Sequence, residues 1–183
     1  MAVCARTAES LSDTCRLIQS LGVNAKGIAV DAANPAAAQK SVIEILDAWG
    51  TLHILVNNLG GGGRWGKTFA DTADKTWMEV YEKNAMSAVR FTRMVMPSMV
   101  KQSWGRVVTI TSIYGREAGA LGEVRPWYAM AKTAETGLMK VLASDPAYAR
   151  KNITFNSVAP GFIMSPGTML AEEYAKNPEK WAE

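Results

Sequence analysis

His53-Ile-Leu-Val-Asn-Asn-Leu-Gly60 is the stretch that decides the fold. Ile54, Leu55 and Val56 follow one another without alternation, the pattern of a strand in a parallel sheet whose two faces are covered by helices. The run passes directly into Asn57-Asn58-Leu59-Gly60 and three further glycines, Gly61, Gly62 and Gly63. Four glycines in a row make a loop that another backbone or a ligand can approach closely.

Outward from this strand, strand-like and helix-like segments alternate, as βαβ units require. Toward the N-terminus, residues 2–5 read as a short strand. A helix follows whose apolar stripe is Leu11, Cys15, Ile18 and Leu21 and whose stop is Gly22. Residues 26–30 form the next strand. Asn34-Pro35 is an N-cap with proline at the first helical position, opening a helix through Val42, Ile43 and Leu46 that Gly50 closes. Toward the C-terminus, residues 74 to about 101 are helical, with Met94, Met96 and Met99 as core filler and Pro97 expected to kink or break the helix. Residues 106–111 form a strand, Pro126 opens a helix to about residue 143, and residues 153–158 form the last clear strand. The expected fold is α/β, a Rossmann-like doubly wound parallel sheet of about five strands, with residues 1–183 as one domain.

Composition narrows the function. The net charge of +3 comes from scattered basic residues with no Lys/Arg run, which speaks against nucleic acid or an anionic membrane as partner. The first residues carry no basic leader ahead of a long apolar stretch, and no apolar run reaches membrane-spanning length, so a cytoplasmic location is expected. Cys4 and Cys15 offer neither a disulfide framework nor metal-ligand spacing, so no metal is expected. His53 is the only histidine, and it reads as structural. A small soluble molecule is the expected partner.

Chemistry is advertised by Tyr128-Ala-Met-Ala-Lys132, preceded by Ser112 at the end of the 106–111 strand. A tyrosine and a lysine four apart share a helix face, and a fixed ammonium beside a phenol favours the phenolate, lowering a pKa that is ordinarily about 10. Tyr128 is thereby placed to give or take a proton on oxygen. Ser112, at the carboxyl end of a parallel strand, lies where open α/β sheets bind ligands, and its hydroxyl can hydrogen-bond a carbonyl oxygen as charge develops there. Each feature alone has an ordinary reading: a solvated helix face for the pair, a turn for Ser112, and a flexible turn for residues 57–63. Trp65, Trp77, Trp104 and Trp127 read as packing groups or pocket walls.

Taken in order, these residues resemble the short-chain dehydrogenases/reductases, similar to the ketoacyl carrier-protein reductase type. Asn57-Asn58-Leu59-Gly60 matches the family's Asn-Asn-Ala-Gly, with Leu59 in place of alanine. Ser112 matches its catalytic serine, Tyr128 and Lys132 its Tyr-x-x-x-Lys, Asn156 to Gly161 its Asn-x-Val-x-Pro-Gly, and Asn84 its helix asparagine. The resemblance implies hydride transfer between NADP(H) and a carbonyl or alcohol, with Tyr128 as acid/base, Ser112 as polariser, Lys132 as pKa tuner and ribose contact, and Asn84 holding a relay water. It also implies cofactor contacts from Arg6, Asp31, Asn58, Gly60, Lys132, Pro160 and Gly161. The basic Arg6 after the strand at 2–5 favours NADP(H) over NAD(H), although Arg6 and Asp31 alone also read as a surface charge and a strand-end cap. A homo-oligomer, dimer or tetramer, is expected through the helices at 75–101 and 126–143, and a mobile substrate lid is expected to begin in residues 162–183.

The family's first strand and its Thr-Gly-x-x-x-Gly-x-Gly turn have no counterpart in the chain, and the sheet is expected to be truncated. In the doubly wound order that strand lies between those at 2–5 and 53–56, so its omission leaves them about 10 Å apart, twice the usual spacing. Either they pair directly, another chain fills the slot, or the chain is part of a longer one. The alternative to a reductase is a catalytically silent fragment or pseudoenzyme serving as an oligomerisation or interaction module.

Overall fold

The structure, a computed structural model, describes residues 1–62, 68–117, 125–161, 163, 165 and 169–181. Gly63 and Trp65, the middle of the stretch between Ser112 and Tyr128, and parts of the expected lid segment lie outside the described residues.

The order of elements is β1 (Ala2–Ala5), α1 (Ala8–Ser20), β2 (Lys26–Ala29), α2 (Pro35–Trp49), β3 (Ile54–Asn57), α3 (Asp74–Tyr81), a π turn (Glu82–Met86), α4 (Ser87–Gln102), β4 (Gly105–Ile110), a 3-10 turn (Ile113–Gly115), α5 (Pro126–Ala143), α6 (Pro146–Ala149), β5 (Ile153–Val158), α7 (Met169–Lys176) and a closing 3-10 turn (Pro178–Trp181). The helix boundaries follow local chemistry. The Asn34 side chain accepts a hydrogen bond from the Ala37 amide at 3.0 Å and Pro35 occupies the first helical position, while Gly50 ends α2 at φ 72°, a conformation that favours glycine.

Among the described residues all strand pairings are parallel, but the five strands form two sheets. β1 pairs with β2, and β3, β4 and β5 make a second sheet in that order. Direct pairing of β1 with β3, one of the outcomes weighed for the missing strand, is not adopted. The expected cover on both faces of β3 is also absent: Ile54 and Val56 are exposed, while Asn57 on the opposite face is buried. β4, in the middle, alternates instead, burying Gly105, Val107 and Thr109.

Helix α2 joins the two sheets. Its Val42 enters the main core with Val95, Met96 and Met99 of α4, Val107 of β4, Met139 of α5, and Ile153 and Phe155 of β5, while Glu44 pairs with Lys26 of β2 at 3.0 Å. Met96 and Met99 are buried, as their spacing suggests, whereas Leu21 of the α1 stripe is exposed. The helix does not break at Pro97; α4 runs through it. Pro97 and Arg93, whose carbonyl loses its N–H partner, both lie on the exposed side, where water can satisfy that oxygen. The departure from α geometry comes earlier, in the π turn centred on Asn84.

Candidate active site

The site is assembled where β4 and β5 end. Beyond β4, the amide and hydroxyl of Thr111 both donate to the Val158 carbonyl, at 2.8 and 3.0 Å, and the Ile113 amide donates to the Pro160 carbonyl at 2.9 Å. These bonds stitch the two strand exits together and hold Ser112 between them in extended backbone. The Ser112 hydroxyl accepts from the Tyr114 amide at 3.2 Å and lies close enough to the Tyr128 phenol to favour its ionised form.

Tyr128 and Lys132 stand on one face of α5, opened by Pro126. The Trp127 indole N–H donates to the Gly62 carbonyl at 3.0 Å, so the loop after β3 is tied to the first turn of α5. The Gly62 backbone then lies on the base of the Tyr128 ring, close enough that a Cβ there would sit 3.2 Å from Tyr128 Cγ. Lys132 is buried, and its Nζ donates to the Ile110 carbonyl at 2.9 Å and to Glu135 Oε2 at 3.0 Å. Nζ lies 5.8 Å from the Tyr128 ring centroid.

Asn84, fully buried, closes the floor. The π turn aims its amide at the glycine loop, where Oδ1 accepts from the Gly61 amide at 3.0 Å and Nδ2 donates to the Gly61 carbonyl at 3.1 Å and the Val80 carbonyl at 2.8 Å. π insertions of this kind recur at functional sites. Both Nδ2 protons are thus committed to backbone, so Asn84 serves here as a clamp on the loop. Gly60 packs directly on this floor: a Cβ at that position would be 2.6 Å from Asn84 Oδ1 and 2.9 Å from Lys132 Nζ.

Above the floor opens a cavity of about 260 Å³ lined by Asn58, Gly60, Gly61, Ile110, Thr111, Ser112, Tyr128, Lys132, Pro160 and Gly161. Seven expected site residues therefore converge on one space, with Asn84 beneath them. Arg6 and Asp31 do not line it. They follow β1 and β2, neighbouring strands of the other sheet, and Asp31 makes the strand-end turn that was its ordinary reading, accepting from the Ala33 amide at 3.0 Å.

The electrostatics correct one expectation. Burial pushes the Tyr128 phenol above its ordinary value, opposed by the Ser112 hydrogen bond and by Arg125, and reinforced by the Glu135 carboxylate and Tyr114. Lys132 pairs with Glu135, three residues on, at 3.0 Å. Burial likewise pushes the Glu135 carboxyl above the usual carboxylate range, with Lys132 opposing. Glu135 was not singled out from sequence, although a carboxylate between Ala134 and Leu138, three residues after the lysine, was a signal that could have been read. Asn57 also acts structurally, its buried amide donating to Thr92 Oγ1 at 3.1 Å and Thr109 Oγ1 at 3.2 Å. His53 packs edge-on against Trp104, 5.9 Å between centroids, away from the cavity lining.

A phenol that shares a cavity with a serine hydroxyl and a buried ammonium can deliver a proton to an oxygen held there. The polar floor and the side-chain-free approach at Gly60 also suit the reacting end of a nicotinamide dinucleotide.

Comparison with known proteins agrees with this geometry. The model of the short chain dehydrogenase family matches residues 1–176. The chain is 34% identical over 157 residues to the 3-oxoacyl-(acyl-carrier-protein) reductase FabG of Salmonella typhimurium, covering 86% of this chain and 62% of that protein. Its fold is similar to that of an actinorhodin polyketide ketoreductase with NADPH, at TM-score 0.81 and 30% identity, covering 100% of this chain and 67% of the other. It is also similar to an NAD+-bound xylitol dehydrogenase, at TM-score 0.81 and 25% identity, covering 94% and 64%. The chain spans under two thirds of the length of the curated relatives it matches, 62% of the Salmonella protein and 64% of one from Streptomyces coelicolor.

Proposed function

The chain belongs to the short-chain dehydrogenase family, and from that premise we propose that it is an oxidoreductase that interconverts a carbonyl and an alcohol by a tyrosine acid/base mechanism. The observation that carries the reading is that Ser112, Tyr128 and buried Lys132 line one cavity together. A bound nicotinamide dinucleotide supplies the hydride for reduction or accepts it in oxidation. In reduction the Tyr128 hydroxyl gives its proton to the carbonyl oxygen, and in oxidation the phenolate takes it back. Ser112 hydrogen-bonds the same oxygen and so favours the charge that develops on it.

Gly60, Gly61, Asn58, Lys132, Pro160 and Gly161 would hold the reacting end of the dinucleotide, and Arg6 with Asp31 the adenosine end. The positive charge of Arg6 at the carboxyl end of β1 supports NADP(H) over NAD(H). The likeness to ketoacyl reductases supports a 3-oxoacyl-type ketone as substrate class. The test is NADPH oxidation with a panel of ketones including 3-oxoacyl thioesters. Turnover lost in Tyr128→Phe supports the reading, and either no turnover with any ketone or full turnover by the phenylalanine variant overturns it.

A homo-oligomer is supported by one stripe of α5, where Met130, Thr133, Gly137 and Val141 are all exposed. The small residues at its centre let a second helix approach closely. The same stripe favours the second reading, a catalytically silent oligomerisation module. Equilibrium titration separates the two: saturable NADPH binding belongs to the enzyme, and a stable dimer that binds no dinucleotide belongs to the module.

A further inference from the structure

Glu135 is among the most completely buried side chains in the protein. An ionisable carboxylate is almost never buried to this degree without a partner, and its partner is the Lys132 ammonium at 3.0 Å, itself buried. Of the three N–H donors on Lys132, one goes to the Ile110 carbonyl and one to Glu135, leaving one for the cavity. An apolar residue would pack more cheaply here, since burying an ion pair costs its hydration. We propose that Glu135 is a positioning residue of this site: its carboxylate fixes the Lys132 ammonium against the Ile110 carbonyl and cancels its charge, so that Tyr128 remains the proton-carrying member of the group.

The charge count gives the reason. With Lys132 and Glu135 both ionised their charges sum to zero, and ionising Tyr128 would leave a buried net negative charge. Without the carboxylate, the same ionisation would neutralise a buried positive charge and would be favoured. Among the other groups around α5, Arg125 opposes the rise of the phenol and Tyr114 reinforces it. The 3-10 turn contributes Tyr114, whose ring lies edge-on 6.0 Å from that of Tyr128, and Arg125 precedes the helix. α3 and the π turn contribute Asp74, Tyr81, Lys83 beside Gly61, Glu79 paired with Lys75, and Glu82 paired with Arg90. β4 contributes Arg106, held on the Asn152 carbonyl at 2.7 Å, α6 contributes Tyr148, and β5 carries no ionisable side chain.

This inference rests on the proposed proton-transfer role of Tyr128, but its test does not depend on turnover. In the full chain labelled with tyrosine carbon-13 at Cζ, the Tyr128 resonance is assigned by its loss in Tyr128→Phe and followed through a pH titration. Glu135→Gln keeps the shape and removes the charge. Its Tyr128 midpoint is expected to fall by about one pH unit, a tenfold gain in phenolate at a given pH, while Glu135→Asp stays near the wild type. An unmoved midpoint in the glutamine variant overturns the proposal. Should that variant fail to fold, Lys132→Met/Glu135→Gln leaves no unpaired buried charge. Its midpoint is expected near the wild-type value, and one well below it overturns the proposal. A chain without turnover that still shows the shift retains the role of Glu135 and loses only the oxidoreductase reading.

Discussion

Asn84 grips both polar atoms of the Gly61 backbone, accepting from its amide at 3.0 Å and donating to its carbonyl at 3.1 Å. One side chain on a π turn thereby fixes the height of the loop over the cavity. Replacing it with alanine leaves buried groups of Gly61 and Val80 without partners, at about 1–3 kcal/mol for a buried unsatisfied group. Asn84→Ala is expected to lower the unfolding free energy read from urea denaturation by that amount and to weaken NADPH binding in a fluorescence titration.

Two glycine substitutions are expected to move in opposite directions. Gly60→Ala places a Cβ 2.6 Å from Asn84 Oδ1 and 2.9 Å from Lys132 Nζ, and such overpacking costs about 1–3 kcal/mol. Thermal unfolding should show the loss together with weaker dinucleotide binding. Gly137→Ala meets nothing within 4 Å in the single chain and removes a glycine from the interior of α5, a gain of about 0.5–1 kcal/mol for the isolated chain, while its Cβ would stand in the proposed helix–helix contact and weaken an oligomer built on it.

Because burial raises the Tyr128 phenol, the folded state holds its proton to a higher pH than the unfolded chain does. The corresponding stability is fully present below the ordinary phenol value of about 10 and is lost as pH rises through the raised value. Tyr128→Phe is expected to lack this alkaline loss, as read from melting temperature against pH for the two proteins. In catalysis the same direction makes ketone reduction insensitive to Tyr128 ionisation near neutral pH, whereas alcohol oxidation, which needs the phenolate, rises with pH. The phenylalanine variant should lose about a hundred- to ten-thousand-fold in kcat/KM.

Met99 is fully buried in the core shared by α2, α4, β4 and β5, and its Sδ lies 2.5 Å from where a Cβ on Gly105 would be. Met99→Ala is expected to cost about 2–5 kcal/mol in chemical denaturation. Gly105→Ala should be destabilising for the opposite reason, since it adds a carbon where Met99 already sits.

Much of this arrangement was legible wherever the signal is local. Asn34-Pro35 and Gly50 bound α2 as capping chemistry requires, and Pro126 opens α5 with Tyr128 and Lys132 on one face. Ser112, Asn58, Gly60, Pro160 and Gly161 meet those two side chains around one cavity. What escaped depends on relations that periodicity does not carry. The division into two sheets is set by which distant strands become neighbours, and it leaves Ile54 and Val56 exposed although their run reads as fully covered. The hydrogen-bond slip at Asn84 leaves the apolar spacing of a helix intact. Pro97 is tolerated because of the side of α4 on which it falls. The phenol's direction depends first on burial and then on the Glu135 carboxylate, neither of which the Tyr–Lys spacing carries.

The division of the strands also bears on how the molecule opens. The larger sheet shares its core with α2, α4 and α5, whereas the β1–β2 pair is joined to that core through α2. Native-state hydrogen exchange should therefore register two cooperative units, with amides of β1 and β2 exchanging through a lower-energy partial unfolding than those of β4. Arg6 and Asp31 lie in the weaker unit and the Tyr128 cluster in the stronger. The two ends of the proposed dinucleotide would thus rest on ground of unequal firmness, and a ligand spanning both would act as a splint, slowing exchange most in β1 and β2.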